Sequence, residues 1–289
     1  IINSINFEDG EERFDRVVPL LKKYGAAIII GSIDEDKQQA QAITRERKLA
    51  IAQRARELCT EKWSLPEEDL IFDALVFPCG TGDENYIGSA VETIEGVRLI
   101  KQALPRSKTI LGVSNISFGL PPTAREVVNS VFLYHATKAG LDLAIVNTQK
   151  LERYATIPDE EKKLAEDLLW NYPPEGSDAP RDHRRQTSEQ KAQINRHHIA
   201  RITEHFRGAT SRVKKSSADL PLDERLADYI IEGTKEGLIP DLELKRQEGL
   251  EPLDIINGPL MEGMAEVGRL FNNNELIVAE VLQSAEAMK

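Results

Sequence analysis

The strongest constraint on this chain is an alternation. Within residues 1 to about 170, short apolar runs take turns with stretches whose apolar residues recur at helical spacing. The runs fall at 1–5, 27–30, 70–75, 109–113 and 143–146. The helical stretches between them are 12–24, 44–62, 88–104 and 122–139, several opened by Asp, Thr, Ser or Pro. In 44–62, Leu49, Ala52, Ala55, Arg56 and Cys59 are expected to share one face. Repeated strand–helix units imply a parallel sheet covered by helices, hence an α/β fold. A full (β/α)₈ barrel takes about 250 residues, at about 30 per unit. Five units in about 170 residues therefore fit either a small open sheet or the C-terminal part of such a barrel. Ile1 falls inside a strand, which favours the barrel, with three units expected upstream.

Composition narrows the partners. A net charge of -11 argues against a general nucleic-acid binder. No run is apolar for the ~18 residues of a membrane span. Two cysteines, Cys59 and Cys79, cannot form a disulfide framework, and a reducing cytoplasm is the natural setting. No signal peptide is legible at Ile1.

The character changes at about residue 171. Residues 172–180 read as loop, and then cations crowd in, with Arg181, Arg184, Arg185, Arg196, Arg201 and Arg207 among them. Four of the five histidines are here too. His197 and His198 are adjacent, point to different sides of a helix and have no Cys or carboxylate at ligand spacing, so a metal site is not expected. Residues 171–219 read as a solvated, mobile basic linker carrying one helix over 188–206. From residue 220 the pattern is helical throughout, at 223–235, 241–247, 252–270 and 276–289, and four antiparallel helices make a small bundle.

Three polar residues close apolar runs: Asn3, Asp73 and Asn115. At the strand ends of a parallel barrel such side chains face the active site. Burying one without a partner costs ~1–3 kcal/mol. A carboxylate suits a ligand edge with two parallel N–H donors, and amides both donate and accept. The bland alternative is that each of them caps a helix or satisfies a loop.

The motifs Ile2-Asn3-Ser4-Ile5, Phe72-Asp73 and Gly112-Val113-Ser114-Asn115, followed by Ser117-Phe118-Gly119-Leu120-Pro121, resemble the methyltetrahydrofolate domain of the cobalamin-dependent methionine synthase family, a pterin-binding barrel. Gly258-Pro259-Leu260-Met261-Glu262-Gly263-Met264, running on to Val267-Gly268-Arg269-Leu270-Phe271, resembles the helical cap over cobalamin in the same family. The resemblance implies a pterin-binding barrel over 1–170 lacking its N-terminal strands, a linker over 171–219 and a truncated four-helix cap over 220–289. It implies a module that moves the methyl group of 5-methyltetrahydrofolate to cob(I)alamin, with methylcobalamin as the loaded cofactor and tetrahydrofolate as the released substrate half.

Asn3, Asp73 and Asn115 are then pterin ligands, with Asn115 next to the reactive N5 as the catalytic residue. Ser117, Arg125 and Asn147 are further substrate-binding candidates. An aspartate that the family takes from an earlier strand has no counterpart here. Phe271, and Val278 where the family carries a Leu, would shield the cobalt-bound methyl group; the alternative is that both are core residues of the bundle. Asp182-His183 lacks the spacing of the Asp-x-His-x-x-Gly cobalamin loop, so the cobalamin-binding Rossmann domain is expected as a partner elsewhere in the same protein. Zinc in this family belongs to a further domain with no match here. The competing readings are a dihydropteroate-synthase-like pterin enzyme and a non-catalytic scaffold guarding cobalamin.

Overall fold

All five apolar runs form strands. The computed structural model describes residues 1–209, 220–273, 276 and 278–289, with the side chains of Val278 and Ala279 excepted. The strands are β1 (Ile2–Ile5), β2 (Ile28–Gly31), β3 (Leu70–Asp73), β4 (Lys108–Gly112) and β5 (Leu143–Ile145). They pair in parallel in chain order, β1-β2-β3-β4-β5, so each connection moves one strand along the sheet. Helices α1 (Glu12–Tyr24), α2 (Arg45–Glu57), α3 (Ser89–Ala103) and α4 (Pro122–Lys138) fill the connections. α1 stops where Gly25 adopts a left-handed φ of 59°. α2 starts where the Thr44 side chain accepts the Arg47 amide.

Side chains alternate along each strand, so the register sorts them into two faces. One face carries Ile28, Ile30, Leu70, Phe72 and Leu111, all buried. The other carries Ile29, Ile71 and Ile110, a separate apolar cluster, and with them Asn3 and Asp73. Strands apolar on both faces are what a parallel sheet needs.

The chain divides into two compact units. The first is Ile1–Glu152 with Pro158–Gly208; the second is Arg153–Ile157 with Ala209–Lys289. This differs from the expected basic linker, because residues 171–208 belong to the first unit. α5 (Asp159–Trp170) and α6 (Ser188–His205) pack on each other there. His183, Gln186, Asn195, His198, Ile202 and Phe206 are buried. The cations lie on the outer surface while polar groups with internal partners face inward. Gln186 and Asn171 bond each other, and His198 Nε2 lies 2.6 Å from the Tyr172 carbonyl. A box at Thr187 and Gln190 caps α6. The rest of the expected linker, 210–219, lies outside the described residues.

The second unit is helical: α7 (Leu222–Glu232), α8 (Leu238–Gln247), α9 (Pro252–Ile255), α10 (Met261–Asn272) and α11 (Val278–Met288). The single helix expected over 252–270 is interrupted. A π-turn, Ile256–Leu260, holds Gly258 at φ -92° and ψ -110°, outside the helical range, and Pro259 has no N–H to give. Leu226, Tyr229, Ile230, Leu238, Ile255, Leu260 and Ala287 form the main core. Gly263 lets α10 approach α7: a Cβ there would lie 2.5 Å from the Ala227 carbonyl oxygen. Asp241 is the buried polar anchor of this unit. It takes both Nε and Nη2 of Arg225, at 2.9 and 2.8 Å, and the Tyr229 hydroxyl at 2.8 Å.

Candidate functional site

β3 ends on Asp73 rather than running to residue 75, because Leu75 turns into the left-handed region at φ 58°. That turn fixes Asp73 from several directions. Its carboxylate Oδ1 accepts the Leu75 amide at 2.9 Å, and its carbonyl accepts both the amide and the hydroxyl of Ser32 at 2.9 Å each. Oδ2 takes no hydrogen bond among the described residues. Burial pushes the Asp73 carboxyl upward from its ordinary range, while the Leu75 amide and the charge of Lys48 pull it down.

Asn115 lies in a short 3₁₀ turn, Val113–Ser117, that leaves β4. Its Nδ2 donates to the carbonyl of Val76, three residues beyond Asp73. One loop thus carries Asp73 and anchors Asn115. The amide oxygen of Asn115 takes no donor among the described residues, and the side chain is exposed. Ser117 is buried. Its hydroxyl donates to the Ser114 carbonyl at 3.2 Å and accepts from Arg125 Nε at 3.1 Å. Arg125 Nη2 also reaches the Ser114 carbonyl, at 3.1 Å. Ser117 and Arg125 therefore brace the turn that presents Asn115.

Asn3 does not close its strand. It pairs with Ile29, which pairs with Ile71, so it sits two residues back from the level of Asp73 on the same face, and it is exposed. Asn147 follows β5 and caps the Thr148–Lys150 turn by accepting the Gln149 amide at 3.1 Å. The structure joins Asp73 and Asn115 through one loop, sets Asn3 on their face, and engages Asn147 as a cap. In the helical unit Phe271 is the penultimate residue of α10 and is 40% exposed, although Val267 and Leu270 before it are buried. Val278 is the first residue of α11, and its side chain lies outside the described residues.

Two groups escaped the sequence reading. The stripe of α2 begins with Lys48, not Leu49: Lys48, Ile51, Ala52, Ala55 and then Cys59 are buried. Lys48 stands at the i, i+3, i+4, i+7 positions of an apolar face, the one signal that marked it. Its Nζ donates to the carbonyls of Ala42 (2.9 Å), Ala74 and Leu75 (3.4 Å), directly behind Asp73. Burial lowers its ammonium to about 7, and the charges of Asp73 and Glu92 resist that fall.

The second group centres on Glu92, in the first turn of α3. It accepts from Arg45 Nε (3.0 Å), Nη2 (2.8 Å) and the Arg45 amide (2.8 Å), and lies 3.2 Å from His183 Nε2. Burial would raise this carboxyl, but the contacts with His183 and Arg45 hold it far below its usual range. The His183 contact fastens residues 171–208 to α3, and Asn195, whose Nδ2 reaches the Cys79 carbonyl at 3.3 Å, fastens them to the loop after β3. Burial pushes the Cys59 and Cys79 thiols up to about 12, so neither is a nucleophile.

Two cavities lie away from this site. One of about 440 Å³, lined by Arg56, Glu67 and Arg106 among others, is at the end where β3 begins. The other, about 430 Å³, lies between loop 174–179 and α6. Neither touches Asp73 or Asn115, so the chemistry is argued from the strand ends. No helix among the described residues is long and apolar enough to cross a membrane. None of the described His, Cys, Asp and Glu side chains form a group of three or more able to hold a metal ion.

Comparison with known proteins agrees with this division of the chain. Residues 222–289 match a B12 binding domain. The methionine synthase of Mycobacterium leprae (strain TN) is 38% identical over 297 residues, and that of Mycobacterium tuberculosis (strain ATCC 25618 / H37Rv) is 39% identical over 293. Both alignments cover 100% of this chain and 23% of the relative, so the chain spans about a quarter of their length. Residues 1–147, just over half of the 289, match the pterin binding enzyme model, and their parallel strands and polar strand ends are the part of the molecule described above as the site: the chain belongs to the pterin binding enzyme family.

Proposed function

We propose that this chain carries the step that moves a methyl group from 5-methyltetrahydrofolate to cob(I)alamin, within a methionine-forming methyltransferase. The observation that carries the reading is a pairing. A pterin-binding unit with a loop-linked carboxylate and amide precedes, on one chain, a helical unit that matches a B12 binding domain. The five sequentially ordered parallel strands are the arrangement of successive units in a (β/α)₈ barrel, and the last helices are read as a four-helix cobalamin cap. A dihydropteroate-forming activity has no use for the second unit.

Asp73 binds the substrate. The pterin's 2-amino group and adjacent ring N–H present two parallel donors, and the Asp73 carboxylate takes both. Asn3, on the same face, serves the mixed donor–acceptor edge. Asn115 acts at the reacting centre. Methyltetrahydrofolate is a poor donor until N5 is protonated, since its leaving group is otherwise an amide-like anion. With Nδ2 tied to Val76, the Asn115 oxygen is free to accept the N5–H of the protonated pterin, a contact that strengthens as the methyl group departs. An amide has no useful pKa, so water supplies the proton. Ser117 and Arg125 hold the turn in place, and Asn147 borders the substrate from β5.

Cobalamin fits the second unit in kind: Leu253, Met261, Phe271 and Leu282 expose apolar side chains of the sort a flat macrocycle covers. When bound, the cofactor supplies a cobalt nucleophile that accepts the methyl group. Phe271 and Val278 would exclude water from its upper face. The cobalamin-binding Rossmann domain is expected to be a partner in the same protein. Equilibrium titration with 5-methyltetrahydrofolate, followed by single-turnover transfer to free cob(I)alamin, tests the proposal. Binding without transfer would leave a scaffold, and no binding would end the reading.

A further inference from the structure

The loop that joins Asp73 to Asn115 is held by a side chain outside the substrate-binding set. Lys48 is fully buried, and no carboxylate lies within ion-pair distance of it among the described residues. Its Nζ instead meets three backbone carbonyls, Ala42, Ala74 and Leu75, which match the three N–H donors of an ammonium. The Phe77 ring lies 5.1 Å away. Room for the Lys48 stem is built into α3: a Cβ at Gly96 would come within 2.7 Å of Lys48 Cδ. Glycine is disfavoured inside a helix relative to alanine, so this space is made against local preference.

The cradle serves a strained residue. Leu75 has φ 58°, a conformation unfavourable for a non-glycine residue that persists only when its surroundings over-determine it. Here they do. Lys48 Nζ and Thr93 Oγ1 (2.9 Å) both donate to the Leu75 carbonyl, and the Leu75 amide donates to Asp73 Oδ1. With one lone pair of Oδ1 taken by the Leu75 amide and the loop locked, the carboxylate keeps one orientation and both oxygens can still accept. The next residue, Val76, takes the amide of Asn115.

We infer that Lys48 is a positioning residue for the pterin site: through the Ala74–Leu75 backbone it sets the carboxylate of Asp73 and the anchor of Asn115. The ammonium also faces that carboxylate without bonding to it. The inference rests on the proposed folate reading for its ligand but not for its coupling. Asp73 and Glu92 are the carboxylates whose charge reaches the ammonium.

A double-mutant cycle with 5-methyltetrahydrofolate as the probe tests the positioning role. Lys48→Met should weaken binding tenfold or more in the otherwise unaltered chain and less than twofold when Asp73 is already Asn. An equal loss in both backgrounds, or none in the first, overturns the inference. If Lys48→Met does not fold, a second arm leaves Lys48 intact. The ¹³Cε resonance of Lys48 is titrated in chains bearing Asp73 and Asp73→Asn, without ligand. Loss of the facing charge should lower the midpoint. An unmoved midpoint overturns the inference even if folate binding itself fails, and a folate-free chain with a moved midpoint would break only the functional reading.

Discussion

The two units bury their polar groups for different ends. In the helical unit the buried carboxylate of Asp241 is paired with the Arg225 guanidinium and the Tyr229 hydroxyl. In the sheet unit Lys48 and Asp73 lie close but are not bonded to each other; each is held by backbone, and Asp73 keeps an oxygen unused. The apolar groups reverse the pattern. The sheet unit exposes few large apolar side chains for its size, Phe118, Leu143 and Ile145 among them, whereas the much smaller helical unit leaves Ile239, Leu253, Phe271 and Leu282 facing solvent. The contrast suggests that a small polar heterocycle calls for preset, partly unsatisfied groups inside the fold. A large flat cofactor calls for apolar area outside it, to be buried only on binding.

The sharpest way to break this contrast is Asn115→Ala. Removing a contact made in the transition state costs ~10²–10³ in rate, so single-turnover methyl transfer should fall by that factor while most folate affinity survives. Equal losses of rate and affinity would make Asn115 a ground-state ligand. Next in size is Asp241→Ala, which removes the buried carboxylate that both Arg225 and Tyr229 donate to and should destabilise the helical unit by about 3 kcal/mol. Chemical denaturation followed by folate titration checks the contrast: folate affinity should stay unchanged, and a parallel loss would show that the units do not act separately. Asp73→Ala should weaken folate binding by about 2–3 kcal/mol, and Asp73→Asn should also weaken it, since one amide cannot accept two donors. Isothermal titration with unaltered affinity in both variants would make Asp73 structural.

A smaller effect follows from Lys48. Its folded pKa of about 7 lies below the unfolded value of 10.5, so the unfolded chain binds the extra proton between them. Stability of the sheet unit should therefore rise from pH 7 to 9, and Lys48→Met should flatten that rise in denaturant midpoints. Above about 9 the trend turns, because Cys59 and Cys79 keep their protons in the fold and lose them when it opens. The smallest structural effect belongs to Phe271→Ala. Away from the core, it should change stability by less than about 0.5 kcal/mol, yet speed photolysis of the cobalt–methyl bond in the intact enzyme. An unaltered photolysis rate would remove Phe271 from the cofactor face.

Much of this was legible in the sequence because pattern and chemistry agreed. α1 occupies 12–24 as read, since its apolar stripe and the glycine after it mark both ends. The strands lie within about two residues of their apolar runs. The misreadings share one cause, polar residues doing interior work. Lys48 is missing from the face read over 44–62 because nothing in one dimension shows three carbonyls converging on it. Residues 171–208 passed for a linker because their arginines are conspicuous and the partners of His183, Asn195 and His198 are distant in sequence. Gly258-Pro259 was quoted as part of a motif, but its break in the helix depends on a backbone conformation that spacing does not reveal.

The last strand has a practical consequence. β5 pairs with β4 on one side only among the described residues, and Leu143 and Ile145 are 38% and 56% exposed. Its other side offers free amides and carbonyls flanked by apolar side chains, a template for any extended peptide that meets it. A purified sample of these 289 residues is therefore expected to grow heavier with concentration and to lose clarity on storage. A lysine at Ile145, pointing a charge into that seam, is the simplest remedy for anyone preparing it.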